Sequence, residues 1–210
     1  MRGYLIRHAQ TQWNFENRLQ GHSDSPLRAL GREQAKRVAA YFSGRPLQAL
    51  YTSPLIRSRQ TAEAIAQVTG LTPAVMPALA EIHLGAWEGL TPEEVNARYD
   101  GAYQMWKTAP ARVRIPGGEA VTAFHERVRT TFAQIAADHR DGEIVIVSHG
   151  GVIASWLADW VGADYDRLLH RLVLDNAGIS GVDCRTAPPS VLWVNALGHL
   201  DGNGRGFPEA

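Results

Sequence analysis

Short apolar runs alternate along the chain with longer segments in which apolar residues recur every three or four positions. The short runs predict buried strands, and the longer spacing predicts amphipathic helices. The strands are predicted at 3–7, 49–51, 75–76, 143–147, 171–174, 179–182 and 191–194. The helices are predicted at 27–42, 53–69, 119–138 and 151–160. This alternation favours an α/β fold with helices on both faces of one sheet.

Capping signals predict where several helices begin and end. Ser53 followed by Pro54 is a typical helix start, and Gly70 is a typical end for the same helix. The segment 91–94 has the sequence of a capping box and opens a further short helix. The polar segment 9–26 predicts a loop.

The composition is that of an ordinary globular enzyme. The chain has 210 residues with 45% hydrophobic and 20% charged content, so we expect one domain over 1–210, with 197–210 as a flexible tail. A formal net charge of +0 gives no global attraction to nucleic acid or to an anionic membrane. Neither a signal peptide nor a membrane helix is expected. Cys184 is the only cysteine, which fits a reducing cytoplasm. The oligomeric state stays open, with a dimer as one option.

Two of the predicted strands end in a histidine. The first strand delivers Arg7 and then His8, and a later apolar strand is followed by His149. Ligands of open parallel sheets bind outside the carboxyl ends of the strands, so the two histidines meet if these strands are neighbours. Arg57, in the first turn of a predicted helix, projects near the same edge. This cluster indicates a phosphate site, because a bound dianion relieves the repulsion between basic groups.

A longer series of motifs resembles the histidine phosphatase superfamily, whose members include the cofactor-dependent phosphoglycerate mutases. The matching stretches are 5–14, 18–21, 24–27, 31–35, 53–62, Glu81 with 85–89, 116–119 and 147–152. An Arg-His pair alone is weak evidence, whereas this many motifs in this order, over about residues 3–182, is strong evidence. The resemblance implies a phosphoglycerate mutase-like fold, which is a three-layer αβα structure with a mostly parallel central sheet.

The resemblance also implies a two-step phosphoryl transfer. His8 would attack phosphorus to form a phosphohistidine, while Arg7, Arg57 and His149 would hold the phosphate oxygens. Glu81 would protonate the leaving alcohol and then take a proton from water. No metal and no cofactor is implied, since the arginines offset the developing charge.

Further residues surround the implied phosphate pocket. Asn14 and Gln20 match residues that line this pocket in the family, and Gly21 is a further candidate for binding. Arg18 either assists the substrate or pairs with an acid. His83 either contacts the substrate or serves only the loop that carries it.

Three questions stay open in the sequence. Ala9 stands where the family usually has glycine, and an alanine held at positive φ would carry strain of order 1 kcal/mol. The leading hypothesis is a phosphomonoesterase for a small phosphorylated metabolite, and a cofactor-dependent phosphoglycerate mutase is the alternative. A mutase typically carries a longer, more basic insertion than residues 89–118. A non-catalytic phospho-ligand-binding module is the third reading. Specificity is expected in residues 83–118, where Tyr103 and Trp106 are candidates for a lid.

Overall fold

One six-stranded sheet runs through the part of the chain that the structure, a computed structural model, describes, namely residues 1–169 and 171–201. Its strands are β1 (Arg2–Arg7), β2 (Leu47–Thr52), β3 (Ala74–Val75), β4 (Glu143–Ser148), β5 (Ile179–Asp183) and β6 (Ser190–Ala196). The strand order is β3-β2-β4-β1-β5-β6. The first four strands in this order are parallel, and β5 and β6 are antiparallel to their neighbours.

The helices lie on both faces of this sheet. They are α1 (Gln12–Phe15), α2 (Ala29–Phe42), α3 (Ile56–Thr69), α4 (Pro92–Arg98), α5 (Ala102–Trp106), α6 (Val121–Asp138), α7 (Gly150–Val161) and α8 (Tyr165–Leu168). Short 3₁₀ turns occur at Pro77–Leu79, Gly85–Trp87, Pro110–Arg112 and Gly198–Leu200. Among residues 1–169 and 171–201, none of the helices combines the length and apolarity needed to span a bilayer.

The period of two along β1 divides the core into two layers. Tyr4 and Ile6 are fully buried and pack with α2 and α3, where Phe42 is also fully buried. Leu5 lies on the opposite face and packs with α6 and α7, where Phe124 and Trp156 are buried. Successive strand side chains point to opposite faces, so one apolar strand supplies both layers. The three-layer αβα fold with a mostly parallel sheet is confirmed.

The helix ends follow the predicted signals in two places and depart from them in one. Gly70 ends α3 in the left-handed conformation with φ of 73°, and Thr91 opens α4 with a capping box, both as predicted. The predicted start of α3 at Ser53 is wrong, because the helix begins at Ile56. The Asp24 side chain, from a distant loop, accepts the Ile56 N–H at 2.7 Å in place of a local cap.

Two further sequence predictions are also wrong. Residues 171–174 are irregular instead of forming a strand, because β5 occupies that edge of β1 and the Leu174 carbonyl accepts a hydrogen bond from Arg7. The predicted loop 9–26 contains α1, which Thr11 opens by accepting the Asn14 N–H. Of the expected tail 197–210, residues 202–210 lie outside the described residues.

The pairing of β1 with β4 determines where the two strand-end histidines lie. The two strands are parallel neighbours in a register that sets Arg7 opposite Ser148. The next residues, His8 and His149, therefore leave the sheet side by side, and the His8 N–H donates to the Ser148 carbonyl at 2.9 Å. The two imidazole rings lie 5.2 Å apart between centroids.

Candidate active site

A cavity of about 590 Å³ opens at the carboxyl ends of β1 and β4. Most of the residues predicted for the site line it, namely Arg7, His8, Asn14, Arg18, Gln20, Gly21, Arg57 and Glu81. His149 lies behind this wall, fully buried against His8. The described lining does not include His83.

One hydrogen bond determines which nitrogen of His8 carries the proton in the neutral ring. Its Nδ1 lies 2.8 Å from the carbonyl oxygen of Ala9, and a carbonyl can only accept, so Nδ1 carries a proton. In the neutral ring Nε2 therefore keeps its lone pair. Burial, and then the charges of Arg57 and Arg7, hold the pKa of His8 well below its usual range. His8 is a neutral imidazole with an available Nε2 at neutral pH.

Ser53 determines the orientation of His149. The Ser53 hydroxyl lies 2.7 Å from Nε2 of His149, while Nδ1 of this ring is buried with no hydrogen-bond partner among the described residues. If Ser53 donates to Nε2, Nδ1 carries a proton that points at no protein acceptor. Burial, then the charges of Arg57, His8 and Arg7, also lower the pKa of His149 far below its usual value.

Arg57 is fixed by the loop that follows α1. Its side chain is 1% exposed and donates to the carbonyls of Ser23 at 2.9 Å and Gly21 at 2.7 Å. Burial lowers the pKa of Arg57 to about 10, against the opposing charges of Glu81 and Asp24. The guanidinium therefore stays protonated at neutral pH.

Arg7 is held from the other side of the cavity. It donates to the Leu174 carbonyl, and burial lowers its pKa while Glu81 and Asp175 oppose that shift. The Nε atoms of Arg7 and Arg57 are both buried without a hydrogen-bond partner among the described residues. Together with Nδ1 of His149, they leave three buried nitrogens unsatisfied around His8. Such a cluster is suited to an anion that accepts several hydrogen bonds.

Glu81 is positioned by two backbone N–H groups. Its carboxylate accepts from Ile82 at 2.9 Å and from Gly151, in the first turn of α7, at 3.0 Å. A Cβ atom at position 151 would lie 2.3 Å from Oε1 of Glu81, so the glycine makes room for this carboxylate.

Two amide side chains complete the inner wall through a shared hydroxyl. The Thr11 hydroxyl lies 3.0 Å from the side-chain oxygens of both Asn14 and Gln20. The Asn14 oxygen also accepts from the Thr11 N–H at 3.1 Å, so the NH₂ group is the end of this amide left for a ligand. Asn176 joins this wall by donating to the carbonyl of His8 at 3.0 Å and to Asn14 at 3.2 Å.

Glu88 has four donors around its carboxylate, which gives this residue a structural role. It accepts from Ser23 N, Ser23 Oγ, His22 N and Leu84 N at 2.6–3.0 Å. Burial raises the pKa of Glu88, but these hydrogen bonds outweigh it and lower the pKa overall.

Gly21 has φ of +53°, and a Cβ there would lie 2.1 Å from Oε1 of Glu88. Glycine is therefore required at this point of the loop.

Two residues that were predicted to contact the substrate interact with other protein side chains in the structure. Arg18 lies at the cavity but pairs with Glu16 at 3.1 Å and with Glu94 at 3.2 Å. His83 stacks on His22 with ring centroids 4.8 Å apart. A direct contact of either residue with substrate stays a prediction.

The sequence predicted only one of the two segments that form the outer wall of the cavity. Leu84, Tyr103 and Trp106 line it, as the expectation for 83–118 requires. Tyr165, Leu169 and residues 172–176 supply the other half, and this was missed. The available signal was the apolar spacing of residues 171–174, which we assigned to a strand. Among residues 1–169 and 171–201, no group of three or more His, Cys, Asp or Glu side chains is arranged to hold a metal ion.

The fold is that of phosphoglycerate mutase-like proteins, and comparison with known proteins gives the family. A family model described as histidine phosphatase superfamily (branch 1) matches residues 3–197. Phosphoserine phosphatase 1 of Hydrogenobacter thermophilus is 31% identical over 93% of this chain and 92% of its own length. A probable phosphoglycerate mutase of Serratia proteamaculans is 35% identical over 88% and 86%. The crystal structure of a mycobacterial glucosyl-3-phosphoglycerate phosphatase with VO₃ superposes with a TM-score of 0.83 at 30% identity, covering 93% of this chain and 99% of that one.

The chain therefore belongs to branch 1 of the histidine phosphatase superfamily and is a phosphatase of the histidine phosphatase type. The residues that carried the resemblance in the sequence lie within the matched range.

Proposed function

We propose that the chain hydrolyses a small phosphomonoester through a phosphohistidine formed on Nε2 of His8. One observation carries the proposal: the Ala9 carbonyl fixes the proton on Nδ1, so Nε2 is the nucleophilic atom. Three buried nitrogens without a partner among the described residues belong to Arg7, Arg57 and His149, and all three residues lie close to His8. They are suited to the three non-bridging oxygens of a phosphoryl group.

In the first step the Nε2 lone pair of His8 attacks phosphorus. An N–P bond forms and the ester P–O bond breaks, with the electron pair leaving on the alcohol oxygen. Glu81 transfers its proton to that oxygen, so the product leaves as a neutral alcohol. Arg7 and Arg57 stabilise the charge on the transferred group, a role in which two guanidinium groups need no metal ion.

In the second step water replaces the alcohol. Glu81, now a carboxylate, takes a proton from the water as its oxygen attacks phosphorus. The N–P bond breaks, its electron pair returns to Nε2 of His8, and inorganic phosphate leaves. The cycle restores every protein group and uses no cofactor.

The alternative is phosphoglycerate mutase activity through the same phosphohistidine, and the similarity to the probable phosphoglycerate mutase of Serratia proteamaculans favours it. A mutase must hold a second acidic group of its substrate. The basic residues of 89–118 are Arg98, Lys107, Arg112 and Arg114, and none is among the described residues that line the cavity. Hydrolysis is therefore the better-supported activity. Faster isomerisation of 3-phosphoglycerate with bisphosphoglycerate than release of phosphate would reverse this preference.

The proposed partner is a small phosphorylated metabolite, and the proposed setting is the cytoplasm. Burial raises the pKa of the single thiol, Cys184, to about 11, so it is a poor nucleophile that suits a structural role in a reducing compartment.

Rapid quenching tests the covalent step. The protein is mixed with a ³²P-labelled phosphomonoester and quenched in alkali within milliseconds, and we expect a base-stable, acid-labile label on the peptide that contains His8. His8→Ala should lose both label and turnover. Glu81→Gln should turn over far more slowly and still bind inorganic phosphate. His139→Ala, whose ring bonds the Tyr51 hydroxyl at 2.7 Å, is the matched histidine control and should label normally. Full turnover with unlabelled His8 refutes the mechanism.

A further inference from the structure

Beyond the phosphate cluster, the cavity has an apolar and aromatic wall. Its principal residues are Tyr103, Trp106, Tyr165, Leu169, Leu172 and Leu174. Trp106 is 6% exposed and Tyr165 is 7% exposed, so the surrounding core holds both rings in place. A preformed apolar surface of this kind favours the burial of an apolar ligand group.

The cations that line the cavity are already committed. Among the described residues they are Arg7, Arg18 and Arg57. Arg7 and Arg57 belong to the phosphate cluster. Arg18 is paired with the carboxylates of Glu16 and Glu94 and also donates to a backbone carbonyl. None of the three is available to a second anionic group of a substrate without breaking existing pairs.

The remaining charge on the described part of the cavity wall is negative. It belongs to Asp175, on the wall formed by the segment after α8, because Glu81 carries a proton when the substrate binds in the proposed mechanism. Asp175 has one side-chain donor, Asn195 at 2.7 Å, and no ion pair among residues 1–169 and 171–201. A carboxylate on the leaving alcohol would therefore meet a like charge and an apolar surface. Unpaired charge and like-charge contact both select against such a substrate.

One polar group in the apolar wall also points to a ligand. The Tyr165 hydroxyl is buried and has no hydrogen-bond partner within the described part of the chain. A phenol donates readily to a neutral acceptor such as an ether or hydroxyl oxygen or a ring nitrogen.

From this wall we infer that the substrates are phosphomonoesters of uncharged alcohols with an apolar or aromatic body, and that phosphates of acidic alcohols are disfavoured. This inference rests on the proposed phosphatase function and specifies the substrate class of the same site. By this inference the chain differs in substrate class from its Hydrogenobacter relative, whose name gives the acidic substrate phosphoserine.

The test compares three esters of primary alcohols, so that each requires protonation of its leaving group. They are benzyl phosphate, ethyl phosphate and O-phosphoserine, and the readout is kcat/KM for phosphate release. We expect benzyl phosphate to exceed ethyl phosphate by roughly tenfold or more, because the wall removes a ring from water. O-Phosphoserine should fall below ethyl phosphate. A kcat/KM for O-phosphoserine at or above that for benzyl phosphate overturns the inference.

Two variants test the wall itself. Tyr103→Ser should lower the ratio of benzyl to ethyl phosphate several-fold, whereas Met105→Ser, on the same helix α5 but 54% exposed and outside the described lining, should leave it unchanged. Val173→Arg places a cation on a lining residue that is 68% exposed, so the fold should tolerate it. This variant should raise kcat/KM for O-phosphoserine relative to ethyl phosphate. Unchanged ratios in Tyr103→Ser and Val173→Arg, with melting temperatures like that of the wild type, contradict the inference.

Labelling of His8 separates the two levels of the argument. If the esters phosphorylate His8 and O-phosphoserine is preferred, only the substrate class is wrong. If no ester is hydrolysed and His8 takes no label, the phosphatase proposal and the substrate class fail together.

Discussion

Gly151→Ala tests the role of Glu81 without changing a titratable group. The new Cβ would lie 2.3 Å from Oε1 and 3.1 Å from Cδ of Glu81, so the carboxylate must move by roughly 1 Å to reach ordinary contact. It would then lose its 3.0 Å hydrogen bond from the backbone of residue 151. The helix itself tolerates the change, because alanine is favoured over glycine within a helix by up to about 1 kcal/mol.

The expected loss follows from that displacement. A misplacement of about 1 Å costs on the order of 100-fold in rate, which is about 2.7 kcal/mol of barrier. We therefore expect kcat for benzyl phosphate to fall about 100-fold in Gly151→Ala. With 4-nitrophenyl phosphate the leaving group needs little protonation, so phosphorylation of His8 stays fast while attack by water slows. Stopped-flow absorbance should then show a burst of about one nitrophenolate per protein molecule.

Gly150→Ala is the matched control. Its Cβ would lie 3.7 Å from Nε of Arg7, a nitrogen of the phosphate cluster, and leaves Glu81 in place. This variant should weaken the binding of phosphate but show no burst, because Glu81 still transfers protons. Wild-type kinetics on both esters in a correctly folded Gly151→Ala would refute our account of Glu81. A burst of equal size in both glycine variants would refute it as well.

Three further predictions concern buried groups. Ser53→Ala removes the 2.7 Å partner of His149 and should weaken binding of inorganic phosphate about tenfold, measured by calorimetric titration; unchanged affinity would exclude the orienting role. The depressed pKa values of His8 and His149 mean that only the unfolded chain gains these protons, so stability should be lost as pH falls below about 6.5. Urea titrations between pH 6.5 and 5 give the free energy of unfolding at each pH. As the pH falls, this free energy should decrease by about 1.4 kcal/mol per pH unit less in His149→Asn than in the wild type. An equal dependence on pH in the two proteins would contradict a buried, neutral His149. Tyr165→Phe removes an unpartnered buried hydroxyl and should raise the free energy of unfolding by about 1 kcal/mol, whereas a loss of that size would reveal a partner.

The candidate site could be predicted because several of its residues stand at strand ends. Arg7 and His8 follow one apolar strand and His149 follows another, so a parallel pairing was enough to bring them together. That pairing itself had to be assumed, since strand order depends on long-range packing that local periodicity does not encode. The family motifs supplied the missing information, and they also identified Arg57 and Glu81 as candidate site residues.

Local signals failed where a distant residue supplied the partner. Ser53 and the proline after it are typical of a helix start, yet the Ser53 hydroxyl forms a hydrogen bond with His149. The helix begins three residues later, where the Asp24 side chain accepts its first N–H. The family's usual glycine at position 9 is not needed here, because Ala9 is buried outside the left-handed region and its N–H donates to Thr61 at 3.0 Å. The strain considered for Ala9 is therefore absent.

The carbonyls of Gly21 and Ser23 hold the Arg57 guanidinium in place before any ligand arrives. A cation fixed in this way recognises phosphoryl oxygens whatever is attached to them. Inorganic phosphate presents the same oxygens as the ester, so in the proposed mechanism the reaction product competes with the ester for the phosphate cluster. The rate in a cell would then follow the ratio of ester to free phosphate, and product inhibition would be a built-in property of this site.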